Sequence, residues 1–178
     1  MGSKQTFTEQ EMKLANKTCR DSGAVGANPI LLQVIQERYS PNQILKILDY
    51  GAGKRAKQTL MLRELGYNVT AHEFGENFNP DIHKSEALSE QYDVVFASNV
   101  LNVQSSEDML DRTLYEISKL IKKSWGCFIC NYPIQPRYLN LSNISMQELL
   151  KCYFYRVKDW SAIKRLQYSG KVFVCDNI

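Results

Sequence analysis

The sequence predicts an α/β fold on a largely parallel sheet, and three observations predict it. Short apolar runs at 43–49, 67–74, 92–98 and 126–132 read as buried strands. Stretches of helical periodicity separate the runs, as they do when parallel strands are joined by crossovers. The chain of 178 residues is also the size of roughly one domain. Apolar residues make up 44% and charged residues 23%, values that exclude a disordered chain.

Taken in order, 6–17 reads as a polar helix, with Thr8 as cap and Glu11 at the reciprocal position three residues on. Residues 21–29, Asp-Ser-Gly-Ala-Val-Gly-Ala-Asn-Pro, are loop chemistry. Pro29 then opens a helix to Arg38 with Ile30, Leu31, Val34 and Ile35 on one face. The first strand, 43–49, runs into a glycine turn, and a helix over 55–65 is closed by Gly66. The second strand covers 67–74. Residues 75–91 are polar and irregular, and the third apolar run follows at 92–98. A helix over 108–122 leads to the run at 126–132. A loop over 133–143 precedes a short helix, 145–152, with Ser145 as cap and Glu148 as its reciprocal partner. Residues 154–160 and 171–175 read as two closing strands.

Residues 1–43 therefore form an N-terminal helical cover and 44–178 a core, within one domain of 1–178. No apolar run approaches the roughly 20 residues of a membrane span. Residues 1–20 lack the apolar stretch of a signal peptide. Five cysteines, at 19, 127, 130, 152 and 175, fit free thiols in a reducing, cytoplasmic setting. Cys127 and Cys130 form a CxxC inside an apolar run, where positions three apart face opposite sides of a strand. That argues against zinc, and no metal site is expected.

The net charge of +3 is unevenly spread. Residues 137–171 hold seven basic side chains against Glu148 and Asp159. This segment reads either as a solvated face or as a contact for an anionic partner, including nucleic acid, since aromatics interleave the cations.

The chemistry-bearing feature is Asp49-Tyr-Gly-Ala-Gly53-Lys54, at the end of a strand and the start of a helix. Gly51 and Gly53 permit a tight turn and close approach of backbone amides to a ligand. Glu73 lies 22 residues beyond Gly51, at the end of the next strand. An acid there accepts hydrogen bonds from the ribose hydroxyls of a nucleotide-like cofactor.

With the fourth-strand pattern Tyr92-Asp-Val-Val-Phe-Ala-Ser-Asn-Val-Leu-Asn-Val103, the sequence resembles the class I S-adenosylmethionine-dependent methyltransferases from about Ile44 onward. The resemblance implies a Rossmann-like doubly wound sheet, mostly parallel with an antiparallel last strand. It implies S-adenosyl-L-methionine as cofactor. Asp49 would meet the methionine amino group; Gly51, Ala52 and Gly53 would line the methionine and ribose. Glu73 would hold the ribose, with Phe74 beside the adenine. Ser98 and Asn99 would face the reacting methyl, and Leu101 would pack under the cofactor. Tyr132, Arg137 and Tyr138 fall where such enzymes build the acceptor pocket. Ser98, Asn99 and Tyr132 are thus the catalytic candidates.

Three departures qualify the resemblance. Arg55 replaces the third glycine, and must point outward if a cofactor is to bind. Residues 74–91 are too few for the usual helix plus strand, so the third strand is reduced or missing, and adenine contact falls to Asn79, Asp81 or Ile82. The fourth motif is not the Asn-Pro-Pro-aromatic type of nucleic acid amine methylation. Asn131-Tyr-Pro133 resembles it superficially but follows another strand. Of the two histidines, His72 reads as packed and His83 as a loop residue that could reach a substrate. The expectation is methyl transfer to a small-molecule or nucleic-acid-linked acceptor. The alternative is a catalytically silent protein of the same fold, acting as a binding or inhibitor module. Oligomeric state is left open.

Overall fold

A computed structural model describes residues 6–19, 30–133, 138–165 and 170–177. The strands are β1 (Ile47–Tyr50), β2 (Val69–His72), β3 (Val94–Ala97), β4 (Gly126–Tyr132), β5 (Arg156–Asp159) and β6 (Lys171–Asn177). They form one six-stranded sheet in the order β2-β1-β3-β4-β6-β5. β2, β1, β3 and β4 are mutually parallel, and β6 runs antiparallel to both β4 and β5. The chain therefore leaves β1 toward β2 and returns on its other side at β3, a reversal that opens a crevice at the carboxyl ends of these strands.

The third strand of the doubly wound pattern is reduced to a single parallel bridge between Ala71 and His83. Short 3₁₀ turns at Gly75–Asn77 and Ala87–Ser89 occupy the rest of the interval. The 21 residues between His72 and Val94 suffice to return from β2 to β3 but not to build a helix and a paired strand.

The helices are α1 (Glu9–Cys19), α2 (Ile30–Arg38), α3 (Lys57–Glu64), α4 (Glu107–Leu120), α5 (Asn143–Lys151) and α6 (Trp160–Lys164). Side chains alternate across the sheet, as strand pleating demands. Leu48, Val95, Phe128, Cys130 and Phe173 pack with α4 and α5 on one face. Ile47, Val94, Phe96, Cys127 and Ile129 pack with α2 and Leu62 of α3 on the other. Cys127 and Cys130 thus sit in different cores. Both faces of β1, β3 and β4 are buried, which explains their unbroken apolar sequences.

Local chemistry sets the helix ends. Glu11 N–H donates to Thr8 Oγ1 at 3.2 Å and Thr8 N–H donates to Glu11 Oε2 at 2.8 Å, completing the expected capping box. α3 ends at Gly66 (φ 94°), with Tyr67 N–H on Leu62 O and Gly66 N–H on Arg63 O. Ser106 Oγ caps α4 by accepting from Met109 N–H.

Two expectations are corrected. The cap of α5 is Ser142, whose Oγ accepts from Ser145 N–H at 3.1 Å, while Glu148 pairs with Lys151. Starting at the earlier serine adds most of a helical turn and still buries Met146 and Leu150, which lie four apart on one face. The expected strand over 154–160 is only Arg156–Asp159. Asp159 Oδ1 accepts from Ala162 N–H and Ser161 Oγ, which turns the chain into α6. No helix among the described residues is long and apolar enough to cross a membrane.

Candidate functional site

The predicted acid and glycine turn meet at the crevice. β1 ends at Tyr50, and Gly51 (φ 72°) and Gly53 (φ 79°) take the left-handed conformation that glycine adopts without a Cβ penalty. Ala52 N–H donates to His72 O at 2.8 Å, tying the turn to β2. Glu73, one residue past β2, accepts from Gly53 N–H at 2.6 Å through Oε2 and from Phe74 N–H at 2.7 Å through Oε1. It is only 7% exposed, and that burial raises its pKa despite both amides.

Asp49 lies beneath the turn, with Oδ2 accepting from Thr59 Oγ1 of α3 at 2.7 Å. Burial pushes its pKa up to about 7, and the nearby Glu73 charge adds to the shift. Gln58, also on α3, donates from Nε2 to Ser98 Oγ at 3.0 Å, and its buried Oε1 has no partner. A Cβ placed on Gly53 would meet nothing within 4 Å, whereas one on Gly51 would come within 2.8 Å of Val100 Cγ2. The turn is thus packed below Gly51 and open above Gly53. Lys54 and Arg55 are exposed, so the residue that replaces the third glycine does not fill the crevice.

Ser98 and Asn99 follow β3 into the same region. Asn99 has φ 56°, a conformation asparagine tolerates better than most side chains. It is held by Asn131 of β4: Asn99 N–H donates to Asn131 Oδ1 and Asn131 Nδ2 donates to Asn99 Oδ1, each at 2.7 Å. Asn131 therefore belongs to the site, although its sequence position suggested a different strand end. β3 and β4 are neighbours, which only the sheet order reveals.

The crevice opens into a narrow cleft. Gly51, Glu73, Phe74, Asn99 and Val100 form its floor, and Phe7, Met12, Ala15 and Asn16 from the α1 region form its roof. Of the two N-terminal helices, α1 is thus the cover, while α2 packs on the far face of the sheet. Phe74 joins an aromatic cluster with Phe7, Tyr50 and His72, at ring separations of 5.3, 5.4 and 4.4 Å.

Several expected site residues are placed elsewhere. Leu101 is 1% exposed in the α4-side core. Val100 and Val103 line the cleft instead, because a 3₁₀ turn puts residues three apart on one side and turns Leu101 away. Tyr132 is likewise buried, its hydroxyl donating to Leu139 O at 3.1 Å, because its position on β4 points into the same core as Phe128 and Cys130. Ala52 packs inward on Ala56 and Ala71. Asp81 is exposed in a turn where its N–H donates to Asn79 Oδ1, outside the cleft lining. Tyr138 donates to Leu14 O of α1 at 3.4 Å, and Arg137 lies outside the described residues.

The histidines are both committed. His83 Nδ1 accepts from Asn79 N–H at 2.8 Å, which leaves Nε2 as the protonated nitrogen facing Gly53 O at 2.9 Å. Burial lowers its pKa. His72 is pushed down to about 3, first by burial and then by His83, and its buried Nδ1 has no partner. Both shifts favour the uncharged imidazole.

No family model matches the sequence, and no curated protein matches it. Solved structures do. A TehB-like SAM-dependent methyltransferase from Corynebacterium glutamicum superposes with TM-score 0.61 at 15% identity, covering 93% of this chain and 98% of that one. The 1,6-didemethyltoxoflavin-N1-methyltransferase of Burkholderia thailandensis, solved with 1,6-didemethyltoxoflavin and S-adenosylhomocysteine bound, gives TM-score 0.58 at 17% identity over 94% of this chain and 83% of that one. This chain has the class I methyltransferase fold. Magnesium protoporphyrin IX methyltransferase from Synechocystis, solved with S-adenosylhomocysteine, matches at TM-score 0.58 and 12% identity over 100% of this chain and 90% of that one. In this chain the third strand is reduced to one bridge at the β2 edge, and the glycine turn, Glu73 and the end of β3 lie together around the crevice.

Proposed function

We propose that the chain is an S-adenosylmethionine-dependent methyltransferase acting on a small acceptor. The observation that carries this reading is the contact between Glu73 and Gly53 at the strand-order reversal. The donor set fits the cofactor. A carboxylate has about four acceptor sites, so Glu73 can bind two ribose hydroxyls while keeping its two amides. The orphaned Gln58 Oε1 and the buried Asp49 are acceptors suited to the methionine ammonium. When bound, S-adenosylmethionine supplies a methyl group already activated on a sulfonium, so the protein mainly aligns the acceptor.

The cleft lining narrows the acceptor class. Among the described lining residues there is no lysine or arginine; the polar groups are Glu73, the amides of Asn16, Asn99 and Gln104, the Thr113 hydroxyl and the Tyr50 hydroxyl, which donates to Glu116. An anionic acceptor would find no cationic side chain among them, only the charge of the cofactor's sulfonium. With both histidines hydrogen-bonded or packed and Glu73 assigned to the ribose, no side chain among the described lining residues is placed as a general base. The acceptor is therefore a compact, largely apolar molecule whose nucleophilic atom holds a lone pair at neutral pH, such as a ring nitrogen or a weakly basic amine. The Burkholderia enzyme is a structural neighbour named for a methyl transfer of this kind.

A nucleic acid acceptor has less support. In the basic segment, Lys164 pairs with Glu37, Lys171 with Asp159 and Lys151 with Glu148. Arg156 and Lys158 lie on the edge strand β5, far from the crevice, where charge discourages edge-to-edge pairing. Arg137 and Tyr168 fall outside the described residues.

Titration calorimetry with S-adenosylmethionine tests the reading, followed by transfer of labelled methyl groups to a panel of heterocyclic amines and to single-stranded DNA and RNA. Absence of binding at millimolar cofactor sinks it. Binding without transfer to any panel member favours the second reading, a silent binding module, which the withdrawal of Tyr132 into the core supports.

A further inference from the structure

We infer that Arg112 is a positioning residue for this site: it clasps α1 over the cleft, and ligand exchange requires that clasp to open. Arg112 lies on α4 and is not part of the cleft lining. Its guanidinium gathers the start of the described cover at Thr6 and Glu11. Nη1 donates to Thr6 O at 2.6 Å and to Glu11 Oε2 at 3.2 Å, and Nη2 donates to Glu11 Oε1. Nε donates to Asp108 Oδ2 at 3.0 Å, which fixes the fork from its own helix. The guanidinium carbon sits 5.5 Å from the centre of the Phe7 ring.

What Arg112 holds is the roof. Phe7 stands edge-on to Phe74 at 5.3 Å, and Asn16 Nδ2 donates to Phe74 O at 3.0 Å. Met12 and Asn16 also close over Gly75, whose added Cβ would come within 2.9 Å of Asn16 Nδ2. The roof leaves Glu73, the acid on the cleft floor, only 7% exposed. A ligand of nucleoside size cannot reach that carboxylate past Phe7 and Met12 without displacing them.

The cover depends on such contacts. α1 has eleven residues, and isolated helices shorter than about 12–15 residues are marginal in water. Its Glu11 serves twice, in the capping box with Thr8 and in the fork with Arg112. Loss of the fork therefore loosens both the helix start and its attachment. Lysine could keep one ion pair with Glu11, but it has no planar fork to reach Thr6 O and both Glu11 oxygens together.

The inference rests on the cofactor reading only through its ligand probe, S-adenosylhomocysteine. The experiment combines amide hydrogen exchange of the full chain with stopped-flow dissociation of S-adenosylhomocysteine, on wild type, Arg112→Met, Arg112→Lys, Glu11→Gln and the Glu11→Gln/Arg112→Met pair. In Arg112→Met, α1 amides such as Met12 should exchange about tenfold faster while β1 and β3 amides keep their protection, and the probe should dissociate about tenfold faster, as expected for lost charge-assisted hydrogen bonds. Lysine should recover part of both effects. The double variant should add little to Arg112→Met, because the two residues form one clasp. Faster α1 exchange with an unchanged dissociation rate would overturn the positioning role, and unchanged α1 exchange would overturn the clasp. Should Arg112→Met fail to fold, Glu11→Gln carries both readouts. If wild type does not bind the probe, the cofactor reading fails by itself, and the exchange arm still decides whether Arg112 holds the cover.

Discussion

Glu73 accepts a hydrogen bond from the Gly53 amide at 2.6 Å, so two residues twenty apart in the chain share one corner of the cleft. The acid expected to hold the ribose is attached to the glycine turn. Glu73→Gln keeps the shape but replaces one acceptor oxygen with an NH2 donor, which meets either the Gly53 or the Phe74 N–H. We expect S-adenosylhomocysteine affinity to fall about 10- to 100-fold, from lost charge-assisted hydrogen bonds of roughly 1.5–3 kcal/mol. Calorimetry on the folded variant reads it, and unchanged affinity would remove Glu73 from the site.

The two glycines should respond differently to alanine. Gly51→Ala adds a Cβ 2.8 Å from Val100 Cγ2 at φ 72°, and Gly53→Ala adds one into open space at φ 79°. Both suffer left-handed strain of about 1–2 kcal/mol. Only Gly51→Ala adds overpacking, a further 1–3 kcal/mol or so. Denaturant melts should therefore rank Gly51→Ala lower in stability, while calorimetry should find ligand binding lost in Gly53→Ala although that variant folds.

Asp49 and His72 should give opposite pH dependences of stability. Asp49, with its pKa raised to about 7, keeps its proton in the folded state over a range where the unfolded chain has lost it. Its contribution therefore declines as pH rises from about 4 toward 7. His72, pushed down to about 3, stays neutral when folded while the unfolded chain takes up a proton below about 6.5. Its contribution declines as pH falls through that window. Melting temperatures from pH 4 to 7 should rise relative to wild type at the upper end for Asp49→Asn, and at the lower end for His72→Phe. Parallel curves for all three proteins would refute these assignments.

His72→Phe should also help at neutral pH. The His72 Nδ1 is buried without a partner, and the ring sits against Tyr50 and Phe74. Removing an unsatisfied polar atom while keeping an aromatic ring should stabilise by about 1 kcal/mol, readable as a higher denaturation midpoint at pH 7.5. A lower midpoint would mean that the imidazole has an unseen partner.

Asn131→Ala should loosen the end of β3. It removes both hydrogen bonds that hold Asn99 at φ 56°. The expected loss is about 1–3 kcal/mol of stability, with slower methyl transfer once an acceptor is found. Loss of stability with unchanged transfer would make Asn99 a structural residue alone.

Local patterning by itself determined the strand and helix sequence, because buried strands need continuous apolar runs and helix starts need caps such as Thr8 with Glu11. It also marked Asp49, Gly51, Gly53 and Glu73, since a strand end, a glycine turn and an acid at the next strand end are short-range features. It anticipated the shortened interval that leaves Ala71 and His83 with a single bridge. Only the tertiary structure decided which residues meet. The neighbourhood of β3 and β4 joined Asn99 to Asn131, a 3₁₀ turn exchanged Leu101 for Val100 and Val103, and the pleat of β4 sent Tyr132 into the core. Packing across more than a hundred residues laid Glu11 against Arg112 and made α1 the roof of the cleft. Periodicity records which face of an element is buried; what lies against that face depends on sheet order and on the geometry of distant segments, which no local pattern contains.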